Sequence, residues 1–325
     1  MRLLLTGRRS LEIQQTADHT DIPEGEVLLK VLCCGICRTD AKMWDQGHRD
    51  LALPRVPGHE MIVADDKGRR YAVWPGSVCG RCGYCKTGRE NLCRDIRIMG
   101  FHRDGGFADK VMVPKTSLLS VPETLDTPVA CLAEPAGCVM HALEKCGLER
   151  RKRKRVLVYG GGTMGILTAL AARDSGAESV IIEKNPDKIK AARPILEEAE
   201  IPCLQAVRQT VYDLIINACP DTEAFRQGLK MLDNAGCFCF FSGLTAGTAV
   251  DADIINLIHY REITMVGSYG LNRKDMQRAL RYLSKKRTIL KALVGNTIKP
   301  EEVSAIMGQV LSGRGFRKMI DFNKR

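Results

Sequence analysis

The chain has 325 residues, 45% hydrophobic and 27% charged, with 14 cysteines and a formal net charge of +11. That length suits about two domains. It holds no apolar run near the ~20 residues of a membrane span, and Arg8 and Arg9 cut short any secretory signal, so a cytoplasmic protein with reduced thiols is expected and a disulfide scaffold is not.

Up to about Lys30 short strands alternate with turns, and the apolar run Val27 to Leu32 leads into Cys34-Gly35-Ile36-Cys37-Arg38-Thr39-Asp40. From here to Pro57-Gly58-His59-Glu60 the chain reads as loop-rich, with Gly35 giving the tight backbone that aims Cys37 and with Pro54 and Pro57 opposing a helix. A thiolate, an imidazole and carboxylates thus come from one segment, and sulfur, nitrogen and oxygen donors together are what an open, catalytic zinc site uses. Any one of these residues alone reads more readily as a packed thiol, a core histidine or a surface acid. Cys33 and Cys34 are expected to be packed thiols beside the ligand Cys37.

Cys79, Cys82, Cys85 and Cys93 follow at spacings of two, two and seven residues, with glycines between them. Four thiolates so placed predict a closed tetrahedral zinc site that contributes folding energy and no chemistry. Strands and turns continue to Pro122. The small and apolar residues from Pro128 to Leu143 then predict helices at a domain junction, where Glu134 is costly unless it meets a cation or gains a proton. The basic run Arg150 to Arg155 reads as a solvated linker in preference to a nucleic-acid patch.

From Arg155 strands alternate with helices. Val156 to Tyr159 is a strand, Gly160-Gly161-Gly162-Thr163-Met164-Gly165 follows at once, a helix covers Ile166 to Ser175, and a second strand from Ser179 ends in Glu183. A glycine pattern after a strand, opening a helix and answered by an acid, is a dinucleotide fingerprint. Gly160 turns the chain, Gly162 admits the pyrophosphate, Gly165 packs helix on strand, and the helix start at Thr163 and Met164 offers free amides. Glu183 would accept the ribose hydroxyls and repel a 2′-phosphate, favouring NAD over NADP, although Lys184 beside it weakens the preference. Strands at Tyr212–Ala218, Gly236–Gly243 and Ile263–Ser268, interleaved with helical stretches at Thr222–Leu232, Asp251–Leu257 and Arg273–Lys285, predict a parallel sheet covered on both faces. The tail from about Leu290, ending in a strand at Lys318–Phe322, is expected to complete the first domain.

These pieces, in this order, resemble the zinc-dependent medium-chain dehydrogenase/reductase family, the group of alcohol, sorbitol and threonine dehydrogenases. The resemblance runs over essentially the whole chain, through Cys37-Arg38-Thr39-Asp40, Gly58-His59-Glu60, the four-cysteine lobe, Glu134-Pro135, the glycine fingerprint and Gly267-Ser268-Tyr269-Gly270. It implies an α/β fold, with a GroES-like β-rich catalytic domain at 1–127 completed by 290–325 and a doubly wound parallel-sheet (Rossmann) NAD-binding domain at 128–289. It implies hydride transfer between a secondary alcohol (polyol, amino alcohol or cyclitol-like) and NAD. The catalytic zinc would sit on Cys37 and His59, completed by Glu60 or Glu134, and a structural zinc on the cysteine lobe. Thr39 would take the substrate proton, Asp40 would orient His59, and Arg38 and Arg317 would meet the pyrophosphate. Where the alcohol dehydrogenases carry a relay histidine this chain has Lys42, which leaves His48, in the loop from Trp44, as the candidate for that proton. A homodimer or homotetramer through the sheet edge of the dinucleotide domain is implied, with no membrane or nucleic-acid partner. The rival reading is a zinc-containing nucleic-acid binder using the basic surface.

Overall fold

A computed structural model describes residues 1–15, 21–152, 154–206, 211–245 and 247–322. It divides the chain into a unit of Met1–Gly137 with Leu271–Arg325 and a unit of Cys138–Gly270.

The first unit is mostly antiparallel strand. β1 (Arg2–Gly7) and β2 (Ser10–Gln14) form a hairpin. The main sheet is built on β3 (Glu26–Ile36), whose two edges are both used. Along one edge runs β4 (Glu60–Ala64), followed outward by β5 (Arg70–Val73) and β9 (Leu118–Ser120), while β6 (Gly76–Ser77) and β7 (Arg97–Ile98) pair as a separate two-stranded sheet. The other edge is shared: β8 (Lys110–Pro114) covers Glu26–Lys30 and the tail strand β17 (Arg317–Ile320) covers Cys34–Ile36, with β16 (Val294–Ile298) parallel outside it. Val31, Ile36, Met61, Phe107, Met307 and Ile320 share the core.

Two expectations change here. The stretch after Cys37 is not a loop. Arg38–Gln46 is helix α1, with Cys37 as its N-cap, Asp40 closing a capping box at the third position, and Gly47 ending it at φ +79°. Trp44 therefore lies on a helix, and His48 follows its end. Five further helices among the described residues belong wholly or partly to this unit: the one-turn α2 (Gly83–Lys86) in the cysteine lobe, α3 (Thr127–Ala130), the start of α4 (Ala133–Lys145), α9 (Arg273–Leu290), and α10 (Val303–Leu311) against α1. The division consequently falls after Gly137 and Gly270, not after residues 127 and 289. The cause is α9, whose buried residues Met276, Ala279, Leu280 and Leu283 meet α3 and the segment around Gly137.

The second unit is a six-stranded sheet in which every neighbouring pair is parallel. Its strands are β10 (Arg155–Tyr159), β11 (Glu178–Ile182), β12 (Cys203–Leu204), β13 (Tyr212–Asn217), β14 (Leu232–Phe240) and β15 (Thr264–Gly267), connected through α5 (Thr163–Asp174), α6 (Pro186–Glu198), α7 (Thr222–Met231) and α8 (Ala252–Tyr260). The order β12-β11-β10-β13-β14-β15 puts the first strand in the middle and reverses direction beside it, which is the doubly wound arrangement with its ligand crevice at the ends of β10 and β13. Leu157, Ile215, Phe225, Leu229 and Phe238 form the core. The basic run is partly consumed inside this unit. Arg155 pairs with Asp213, Lys154 Nζ donates to the Ser175 carbonyl at 2.6 Å, and Arg151 donates to the carbonyls of Cys146 and Asp213; Arg153 lies outside the described residues.

Candidate metal centre and dinucleotide site

In the first unit the register β3 to β4 sets Gly35 opposite Glu60, two residues before Cys37 and one after His59. A Cβ at Gly35 would lie 2.5 Å from Glu60 Oε2. Gly35 sits in extended strand, so its contribution is room for that carboxylate and not the tight turn its type suggests. Donor atoms of Cys37, His59 and Glu60 all lie within 4.8 Å of one another.

Asp40 ties the two ligand-bearing segments together. Fully buried, it accepts from the Cys37 amide at 2.8 Å through Oδ2 and from the Gly58 amide at 3.3 Å through Oδ1, and the same Oδ1 is 3.4 Å from His59 Nδ1. That contact turns the other ring nitrogen of His59 toward the cluster. Arg317, on β17, brings its Nε to 3.1 Å from Glu60 Oε2 and donates through Nη1 to the Ile36 carbonyl at 3.1 Å. The arginine expected at the pyrophosphate is thus placed against Glu60. Glu134, in the first turn of α4, is buried and acts electrostatically on both Glu60 and Arg317, but it is not part of the three-donor cluster.

The charges explain the protonation states. Burial would raise the Cys37 thiol, but Arg317 and His59 outweigh it and bring the thiol down to about 7. Burial would lower His59, yet Asp40 and Cys37 hold it well above its usual value. Burial pushes the Glu60 carboxyl up against the pull of Arg317. The site gathers the acidic groups Cys37, Glu60 and Asp40 beside Arg317 and His59, and a bound divalent cation would favour the thiolate and carboxylate forms of Cys37 and Glu60. Both Glu60 oxygens are buried without hydrogen-bond geometry to a protein partner, so the donor set fits a metal ion.

Around this cluster, Thr39 is half-buried on the first turn of α1, two residues from Cys37. Arg38 is exposed and donates to the Leu311 carbonyl at 3.0 Å. Lys42 is exposed. The His48 ring meets the edge of Phe101 at 5.3 Å, and Phe101 in turn lies 5.4 Å from the His59 ring, a link that no sequence pattern announced. His48 Nδ1 accepts from the Asp50 amide at 3.2 Å, and burial lowers its pKa, so a neutral ring with its proton on Nε2 results.

The four lobe cysteines also converge, all within 4.8 Å, with Sγ–Sγ separations of 3.5 Å for Cys82–Cys85 and 3.6 Å for Cys79–Cys93. Sulfurs about 2.3 Å from a shared tetrahedral centre would be about 3.8 Å apart, whereas a disulfide needs about 2.05 Å. The geometry fits zinc and excludes a bond between them. Cys82 is brought down to about 6, chiefly by hydrogen bonding from the Cys85 backbone amide.

In the second unit Gly160 ends β10 at φ +108°, at the switch point beside Ala218 and Cys219. A Cβ at Gly165 would lie 1.7 Å from the Gly160 carbonyl oxygen, which fixes the close approach of α5 to β10; around Gly162, the N-cap of α5, nothing lies within 4 Å of such an atom. Thr163 and Met164 form the first turn of α5. Glu183 is nearly buried. Its Oε2 accepts from the Gly161 amide at 2.8 Å and its Oε1 from the Asn185 amide at 2.9 Å. Gly161, which the fingerprint leaves without a role, is needed for this: a Cβ there would meet the Glu183 Cβ at 2.9 Å. Asn217 was also unforeseen. Fully buried at the end of β13, it accepts from the Phe241 amide and donates to the Ser242 carbonyl, both at 2.8 Å, and so fixes the rim of the crevice.

A family model of the alcohol dehydrogenase GroES-like domain matches residues 23–123. L-galactonate-5-dehydrogenase of Escherichia coli strain K12 is 28% identical over 280 residues, covering 80% of this chain and 81% of that protein. Sorbitol dehydrogenase of Halalkalibacterium halodurans is 27% identical over 317 residues, 91% of each chain. A structure described as a zinc-binding dehydrogenase of Sinorhizobium meliloti 1021, bound to NADP, superposes with a TM-score of 0.86 at 26% identity over 98% of both chains. Fold, ordered motifs and relatives therefore agree in making the chain similar to the zinc-dependent medium-chain dehydrogenases.

Proposed function

We propose that the protein transfers hydride between a secondary alcohol of the polyol, amino alcohol or cyclitol type and NAD, at a zinc ion held by Cys37, His59 and Glu60. The observation that carries this reading is the convergence of those three donors within 4.8 Å beside Arg317. Relatives named for L-galactonate and sorbitol support a polyhydroxylated substrate. When bound, zinc supplies Lewis acidity toward an alcohol oxygen and the nicotinamide supplies the hydride acceptor.

This chain's own residues do the rest. Asp40 holds the Cys37 amide, the Gly58 amide and the His59 ring in one arrangement, so the donors are pre-oriented. Arg317 favours the Cys37 thiolate and pulls against the burial that raises the Glu60 carboxyl. We take Glu60 as the direct third donor and Glu134 as a charge behind it. Thr39 accepts the hydroxyl proton, and His48, neutral and half-buried, passes it outward in place of the missing relay histidine. The glycine loop, the start of α5 and Glu183 bind the dinucleotide, with NAD preferred. A second zinc on Cys79, Cys82, Cys85 and Cys93 stabilises the lobe. All 14 cysteines are free thiols, which supports a reducing, cytoplasmic setting, and among the described residues no helix is long and apolar enough to cross a membrane. We also propose that the chain assembles as a homodimer or homotetramer through β15. The nucleic-acid reading gains no support from the relatives, and part of the basic run on which it rests is bound up in the second unit.

The deciding measurement is reduction of NAD against a panel of polyols, amino alcohols and cyclitols, with zinc determined on the same sample. Turnover of a secondary alcohol that disappears with the zinc is expected. A zinc-loaded protein that binds NADH yet oxidises nothing in the panel would overturn the substrate class.

A further inference from the structure

We infer that Asp221 determines cofactor specificity by holding Lys184 away from the adenosine ribose, so that Glu183 excludes a 2′-phosphate without a neighbouring cation to offset it. This rests on the reading of Gly160 to Glu183 as an NAD site. Glu183 alone does not explain a preference, because the residue after it is a lysine, and a cation in that corner is what accommodates a 2′-phosphate. The geometry removes that cation. Lys184 Nζ lies 2.7 Å from Asp221 Oδ2, while Asp221 Oδ1 caps α7 by accepting from the Glu223 amide at 2.9 Å. One carboxylate thereby fixes its own position with one oxygen and the lysine with the other. The second lysine of the corner, Lys188, is 4.0 Å from Glu183 Oε2 and is matched to that acid. A 2′-phosphate arriving beside Glu183 would find each of these lysines already set against a carboxylate. The Lys184–Asp221 pair is substantially exposed, 65% and 37% by side chain, and so adds little to folding. Its effect is on where the positive charge can reach.

The cap allows a clean test. Asparagine and serine are N-cap residues as good as aspartate, so Asp221→Asn and Asp221→Ser keep the start of α7 and release Lys184. On the full chain, NADH and NADPH are titrated separately by nicotinamide fluorescence. Wild type is expected to bind NADH more tightly. In either variant the Kd for NADPH should fall about three- to tenfold, the size expected for one unscreened charge at about 6 Å in a partly solvated corner, with NADH changed by less than about twofold. Adding Lys184→Met to Asp221→Asn should return the NADPH Kd to the wild-type value, and the gain should shrink as salt rises. An NADH-preferring wild type whose ratio does not move in either Asp221 variant overturns this inference alone. So does a gain that survives Lys184→Met, since the lysine is then not its source. A wild type that binds NADPH more tightly overturns the NAD reading and this inference with it.

Discussion

Asp40 touches both ligand-bearing segments, so its charge should matter to the metal more than to the fold. Asp40→Asn keeps an acceptor but loses the anion beside His59 Nδ1, and zinc affinity at this site should drop about 10- to 100-fold. Competition with a chelator, followed by metal analysis, reads this directly; unchanged zinc retention would show that Asp40 merely caps α1. Cys37→Ser removes a thiolate donor. Zinc should fall to about one per chain, that of the lobe, turnover should be lost, and NADH binding should persist because its residues lie in the other unit. A Cys37→Ser enzyme with a single zinc and full activity would refute the metal assignment. At this scale the convergence of Cys37 with His59 and Glu60, and of the four lobe cysteines, was legible, because a metal site draws on particular side chains at short spacings. Arg317 was legible only as a charge. Its pairing with Glu60, 257 positions earlier in the sequence, exists because β17 adds beside β3, and no local pattern encodes that.

Elements were legible where a local rule governs them. The glycine fingerprint declared itself because a Cβ at Gly165 has nowhere to go. Helix α1 did not, because Gly35 and the prolines Pro54 and Pro57 lent the surrounding stretch the look of a loop, although the Cys37–Asp40 capping box and Gly47 are helix signals in hindsight. Helix α9 shows a different coupling. Its N-cap Asn272 donates to the Gly88 carbonyl at 3.1 Å, and the Arg273 amide donates to Glu90 at 3.2 Å, so the helix start is docked on the cysteine lobe. Lobe and helix should loosen together. Cys93→Ser, which breaks the four-sulfur site, is expected to raise amide exchange both in residues 79–93 and in the first turn of α9, while a metal-loaded wild type protects both. Exchange confined to the lobe would show that the docking is incidental.

For the whole molecule, sequence periodicity revealed two sheets and their order but not the exact boundary, because an amphipathic helix such as α9 fits either core until its partner is known. The same sheet order leaves two edges in the second unit. β12 is only two residues long, too short to template another chain, whereas β15 runs four residues, with Thr264, Met265 and Gly267 exposed. An edge of that kind pairs with its own copy across a two-fold axis, extending the sheet from one protomer into the next. Light scattering should then give wild type at least twice the 36.0 kDa of one chain. Met265→Lys puts a charge on the edge without entering the core or the dinucleotide residues, so it should shift the mass to 36.0 kDa while leaving NADH binding in place. A wild type already at the mass of one chain would remove the interface. An undiminished oligomer in Met265→Lys would place it on another surface.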